Sequence, residues 1–303
     1  FVPATFEIAT VSFLAPMLLG VSYIEAAIMG CVLAAVSPAV IVPRMIHLME
    51  TGYGKKSRIP QIIMAGASVD DIYVIVLFTA FLGMYRGEGF SASTLVSVPA
   101  SILSGVIMGA VTGIILVSIF KRIHMRDTVK VLIILSIAFM FVSIEDFMKP
   151  FFPVSGLLAV MSLGCSILRS YEILAKRLMG KFSKIWVGAE ILLFVLVGAQ
   201  VDISYLAGAG ISTVLLILAA LSLRMIGVSL SLAGTSLSLK ERLFCSIAYI
   251  PKATVQAAIG AVPLSAGVGA GNTILTVAVL AIIISAPVGA IGIDRTYKKL
   301  LSQ

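Results

Sequence analysis

From Ile59 to Leu82 the chain reads IPQIIMAGASVDDIYVIVLFTAFL, with two adjacent aspartates, Asp70 and Asp71, near the middle of an otherwise apolar run. The run is long enough to cross a bilayer, and in lipid every backbone N–H and C=O must be satisfied internally, so it is restricted to a helix. An ionised carboxylate at that depth costs roughly 2.5–3.5 kcal/mol, and two in succession are tolerated only where something offsets the cost. A structural salt bridge is the bland account. A bound cation or proton is the account the position favours.

The same solvent is implied along the whole chain. Of the 303 residues, 60% are hydrophobic and only 12% charged, and the mean hydropathy is +1.13, outside the range of soluble domains. The net charge of +8 comes from basic residues scattered among short loops, which argues against nucleic acid as a partner. Cys31, Cys165 and Cys245 fall in apolar segments and read as small buried hydrophobes. His47 and His124 lie in basic loops, so no histidine-built metal site and no bound cofactor are expected. The chain opens on Phe-Val-Pro already inside an apolar run, from which preceding membrane segments are expected to be missing.

Counting apolar runs predicts ten membrane helices, roughly at 1–20, 23–46, 60–83, 93–120, 129–147, 154–169, 184–200, 210–233, 241–262 and 272–293. The loops at 44–60, 120–130, 169–184 and 234–242, with the tail, carry most of the lysine and arginine; the intervening loops carry little. By the positive-inside rule the basic loops and the C-terminus are cytoplasmic, and the helix with Asp70 and Asp71 runs from inside to outside. Such loops also attract anionic lipid head groups, at about 1 kcal/mol per basic residue.

The first three spans and the last three share a layout. Each set opens with one charged residue in apolar surroundings, Glu7 in the first span and Arg224 in the eighth. Each second span is interrupted by a proline among small residues: AAVSPAVIVP near Ser37-Pro38-Ala39, and IAYIPKATVQAAIG near Pro251-Lys252-Ala253-Thr254. One set starts inside and the other outside, so the copies are inverted. Proline removes a backbone donor and clashes with the preceding turn, leaving half-helix ends at membrane depth. Two such breaks in inverted copies are expected to cross near the midplane. Lys252 is placed to neutralise two facing C-terminal ends, and Ser37 or Thr254 to offer a hydroxyl to an ion.

The strings GCVLAAVSPAVIVPRM, GYGKKSRIPQIIMAGASVDDI and YIPKATVQAAIGAVPL together resemble the sodium/proton antiporters of the cation/proton antiporter superfamily, of the monovalent cation:proton antiporter-2 type, and best of all their NHA branch. The resemblance implies an all-α polytopic membrane protein of inverted-repeat antiporter fold with two crossed discontinuous helices. It implies a first core repeat at 1–83, dimer-domain and linker helices at 84–207, and an inverted second core repeat at 208–303. It also implies a homodimer whose core moves like an elevator, sodium or lithium exchanged for protons, and Asp71 as the ion-binding carboxylate assisted by Asp70. A bacterial inner membrane is the expected location. Many electrogenic relatives carry lysine where this chain has Arg224, and the pairing of Glu7 with Arg224 is typical of the NHA branch. A potassium/proton antiporter of the same superfamily and an organic-anion symporter of similar fold are the alternatives.

The residues add their own constraints. Adjacent helical positions point about 100° apart, so one aspartate faces the ion and the other leans toward a neighbouring helix. Sodium prefers oxygen ligands, and Asp71, Asp70 and the Ser37 hydroxyl are a plausible set, with sodium and proton competing for it. Arg224 is a poor proton carrier, so a structural Glu7–Arg224 pair is expected, with the alternative that Arg224 turns to Asp70. Gln256 and Asn272 are expected to satisfy backbone groups around the break, and Glu190 is a further acid in an apolar span. An enzyme is not expected: aspartyl proteolysis needs carboxylates from two facing helices, and no further acid follows Asp71 to hold a metal–diphosphate.

Overall fold

The structure, a computed structural model, describes residues 1–87, 92–148, 152, 154–199 and 210–302, and among these every regular element is helical. In chain order they are α1 (Val2–Leu19), α2 (Tyr23–Ala34), α3 (Pro38–Thr51), α4 (Ile59–Tyr85), α5 (Ala92–Arg122), α6 (Asp127–Met148), α7 (Gly156–Ser170) and α8 (Glu172–Ala199). Then follow α9 (Gly210–Ser231), α10 (Leu239–Ala248), α11 (Thr254–Gly260), α12 (Val262–Ser265) and α13 (Gly271–Leu300). The chain divides into two compact units, Phe1–Gly89 with Leu192–Gln303, and Phe90–Ile191.

Local chemistry sets the boundaries in the first unit. A capping box opens α2: the Ser22 hydroxyl accepts the Glu25 N–H, and the Glu25 carboxylate accepts the Ser22 N–H. The helix stops at Ala34 because Ala35 and Ser37 are extended (ψ 152° and 107°), as the residue before a proline must be, and Pro38 opens α3. The second copy repeats the pattern. A Ser238–Glu241 capping box opens α10, the helix ends at Ala248, and the chain is non-helical through Pro251 until Thr254 opens α11.

Seven helices among the described residues are long and apolar enough to cross a membrane, counting Tyr23–Thr51 as one. The ten spans expected from hydropathy are not reproduced, for identifiable reasons. The sixth forms a helix of 15 residues, the ninth is cut by its break, and the seventh runs into residues outside the described set. The Glu190 side chain also lies outside the described residues.

Two apolar clusters in this unit flank the middle of α4. Val74, Phe78 and Leu82 pack with α1, α2 and α9, whereas Ile59, Ile63 and Ala67 pack with α3 and the end of α10. Asp70 and Asp71 fall between the two. On α13, Gly289 makes room for the second break: a Cβ there would lie 2.3 Å from Pro251 Cγ and 2.9 Å from its nitrogen. Ring and backbone cannot both give way, so Gly289→Ala should cost about 1–3 kcal/mol. A thermal melt of the purified protein checks this, and an unchanged midpoint would contradict it.

In the second unit α7 packs on α5 and α6 around Phe120, Phe141, Leu163 and Ile167. Gly109 lets α5 approach so closely that an added Cβ would overlap the Ala159 carbonyl. At one end Asp127 pairs with Arg177 at 3.1 Å and lies at ion-pair distance, 3.6 Å, from Lys130. Cys31 and Cys245 are buried, but Cys165 is exposed. It sits two residues from both Leu163 and Ile167, hence about 200° round the helix from their packed face, which corrects its reading as buried.

Candidate functional site

A broken helix leaves its last carbonyls without intrahelical donors, and inside a membrane water cannot supply them. At the end of α2 the Leu33 carbonyl accepts from Lys252 Nζ, the Ala34 carbonyl from Arg224 Nη1, and the Ala35 carbonyl from Gln256 Nε2 at 2.7 Å. Two cations and an amide therefore meet a C-terminal helix end, where the backbone dipoles favour positive charge. The two breaks are tied directly, the Ser37 N–H donating to the Pro251 carbonyl at 3.0 Å. Gln256 Oε1 accepts the Ala253 N–H at 2.9 Å, and Ser285 Oγ on α13 accepts the Lys252 N–H at 3.1 Å.

The cations carry the second half of the arrangement. Glu7 on α1 is fully buried. Its Oε2 accepts Arg224 Nη1 at 2.8 Å, and Lys252 Nζ straddles the carboxylate, 2.8 Å from Oε1 and 2.9 Å from Oε2, with the directed hydrogen bond going to Oε2. Arg224 Nη2 reaches Asp70 Oδ2 at 2.6 Å, and the Phe1 nitrogen lies 3.2 Å from the other Asp70 oxygen. The Arg224 guanidinium also sits 5.6 Å from the centre of the Tyr249 ring, at cation–π distance. Glu7 and Asp70 set against Arg224 and Lys252 make two side-chain charges of each sign.

Asp71 stands outside that balance. It is half-buried, and its Oδ1 is enclosed without a hydrogen-bond partner among the described residues. The backbone N–H of Val36, in the first break, faces its carboxylate. The next residue, Ser37, is fully buried and its Oγ likewise lacks a partner. Buried polar oxygens are nearly always satisfied, so two unsatisfied ones by the same break are where a hard cation or a proton would find its ligands.

The structure therefore gathers Glu7, Asp70, Arg224, Lys252 and the Ser37–Pro38 and Pro251 breaks around one point, with Asp71 beside them and Thr254 buried at the start of α11. Three expectations change. Arg224 does not choose between Glu7 and Asp70 but holds both, because its two terminal nitrogens diverge. Lys252 serves one C-terminal helix end and Glu7; at the end of α10 the N–H groups of Tyr249 and Ile250 already take the Cys245, Ser246 and Ile247 carbonyls. Asn272 lies in the first turn of α13, about 20 Å along the helix from Ser285 at the break, so of the two amides only Gln256 serves it. Tyr249 and Ser285 were missed. A lone serine in an apolar helix carries no sequence signal, whereas the tyrosine stands two residues before Pro251 and was there to be read.

Residues 1–299 match the model of the family described as sodium/hydrogen exchanger, transmembrane. The chain belongs to that family. Human sodium/hydrogen exchanger 9B2 is 33% identical over 320 residues, covering 99% of this chain and 58% of the human protein. Human sodium/hydrogen exchanger 9B1 is 32% identical over 302 residues, covering 91% and 55% respectively. The chain thus spans a little over half the length of these curated relatives. Among solved structures, the sodium proton antiporter MjNhaP1 from Methanocaldococcus jannaschii at pH 8 matches all of this chain and 78% of its own, with a TM-score of 0.85 at 21% identity. The exchanger chain therefore has the antiporter fold and is a multi-pass membrane protein of a transporter family. Its relatives here are human and its solved neighbour archaeal, so the bacterial inner membrane expected from the resemblance finds no support in them.

Proposed function

We propose that the full-length protein exchanges sodium or lithium for protons, the two competing for Asp71. The observation that carries this is the charge count: Glu7 and Asp70 are ion-paired with Arg224 and Lys252, leaving Asp71 as the carboxylate whose enclosed oxygen has neither hydrogen bond nor ion pair, with the Ser37 hydroxyl of the first break likewise unpartnered. An unmatched charge in a dry site is costly to move through the membrane. One sodium ion or one proton removes the cost, and the empty ionised site stays put. That rule is sufficient for exchange. The crossed breaks supply the remaining oxygens, and Asp70, held by Arg224, serves the ion through its field. Movement of the core as an elevator, assembly as a homodimer and contact of the basic loops with anionic lipid belong to the same proposal.

The test is proton movement in proteoliposomes holding the full-length protein under a preset pH gradient, with sodium, lithium or potassium added in turn. Collapse of the gradient by sodium or lithium supports the proposal. Collapse by potassium alone would make the protein a potassium/proton antiporter, and no collapse by any cation would sink exchange and bring organic-anion symport forward. Ser37→Ala should raise the sodium KM about tenfold, the scale of one lost bond to a charged partner; an unchanged KM would remove Ser37 from the ion site.

A further inference from the structure

The two capping-box glutamates do more than cap. Each box uses one carboxylate oxygen on its own helix start: Glu25 Oε2 accepts the Ser22 N–H at 3.0 Å, and Glu241 Oε2 the Ser238 N–H at 2.8 Å. The other oxygen of each crosses to the opposite repeat. Glu25 Oε1 accepts the Ala270 N–H at 2.8 Å, on the residue that opens α13. Glu241 Oε1 accepts the Ser57 hydroxyl at 2.6 Å, on the segment that leads into α4. The same two segments are also held by the far ends of the long helices. The Gly269 N–H donates to Tyr85 Oη at the end of α4, and the Gly54 N–H donates to the Ser302 carbonyl just after α13. In each copy, then, the entry to the third helix is held by the other copy's broken helix and by the end of the other copy's third helix. The two arrangements sit at opposite ends of α4, about 40 Å apart.

We propose that Glu25 and Glu241 are positioning residues, a pair of inverted latches that set α4 and α13 against the broken helices and so fix Asp71 against Ser37. This rests on the exchange proposal for its functional half. The mechanical reason is leverage. Strands of packed helix transmit small end displacements as rigid bodies, and α4 carries both aspartates between its latched ends. A site that must bind sodium through two or three oxygens tolerates displacements of only about half an ångström.

The two latches differ in one chemical respect, which makes them separable. The Ala270 N–H can only donate, whereas the Ser57 hydroxyl can donate or accept. In Glu25→Gln, whichever way round the amide sits, one backbone N–H faces a donor. In Glu241→Gln the amide oxygen keeps the Ser238 N–H while the amide nitrogen donates to Ser57. With the full-length protein in liposomes, Glu25→Gln and Ser57→Ala should therefore raise the sodium KM about three- to tenfold with turnover changed less than about twofold, and Glu241→Gln should stay near the native KM. Unchanged KM in both Glu25→Gln and Ser57→Ala, with only a lowered melting temperature, would reduce the latches to scaffold and overturn the proposal. So would Glu241→Gln behaving like Ser57→Ala. A second readout needs no transport: amide hydrogen exchange at Ala270 should quicken in Glu25→Ala, which removes both side-chain oxygens, and unaltered protection there would show that the latch does not hold. If the native protein moves no protons on sodium addition, the exchange proposal fails while this measurement still decides whether the latches exist.

Discussion

Asparagine in place of Asp71 should abolish cation-driven proton movement while leaving the protein at least as stable as the native form. The substitution keeps the shape of the side chain and an oxygen on the side of the Val36 N–H, but removes the carboxylate that stands outside the charge balance. With the charge gone, neither sodium nor a proton is needed to neutralise the site, and coupling between them is lost; a fall of a hundredfold or more, about 3 kcal/mol, is expected. Stability should not fall with it, because taking away an unmatched buried charge relieves a desolvation cost. Sodium-driven proton flux and a thermal melt on the same preparation measure both halves. Residual exchange above background, or a large loss of stability, would contradict the assignment of Asp71.

Glu7→Ala should do the reverse, acting on stability first. Glu7 is the common partner of Arg224 and Lys252, both of which are 1% exposed. Removing one partner of a buried ion pair strands the other charge at a cost of about 3–5 kcal/mol. Here two cations lose it at once, although Arg224 keeps Asp70 and both keep carbonyls at the end of α2. At about 2–4 °C per kcal/mol for a unit of this size, the melting temperature should drop by roughly 10 °C. Glu7→Gln, which keeps an acceptor but no charge, should fall between the two and provides a graded measurement if the alanine variant does not fold. A native melting temperature in Glu7→Ala would mean that Arg224 and Lys252 are held by the backbone alone.

Much of this architecture was legible from residue order. The prolines of Ser37-Pro38-Ala39 and Pro251-Lys252-Ala253-Thr254 mark both breaks, because proline's chemistry is local and needs no tertiary context. Glu7 and Arg224 announce a partnership because isolated charges in apolar runs have few ways to survive. What could not be read was how the pairings combine. Arg224 reaching Asp70 as well as Glu7, and Lys252 sharing Glu7, depend on the packing of four helices drawn from both ends of the chain, which sequence spacing does not encode. The latches are a different case. Ser-x-x-Glu occurs at both Ser22–Glu25 and Ser238–Glu241, at the same place in each inverted copy, and was overlooked because hydropathy dominates the reading of a membrane chain. The count of ten spans is not confirmed among the described residues: hydropathy marks an apolar run but does not fix whether it holds one full-length helix, a short one or two halves.

Proton release on sodium binding tests the central claim most directly. Full-length protein in lightly buffered detergent solution at fixed pH would be mixed with sodium chloride, with choline chloride as the control, and the bulk pH followed. Competition at Asp71 predicts that sodium expels protons in a saturable way, up to about one per site, that the apparent affinity weakens by up to about tenfold for each unit of pH lowered, and that Asp71→Asn releases none. Sodium that binds without expelling a proton, or proton release that persists in Asp71→Asn, would contradict it.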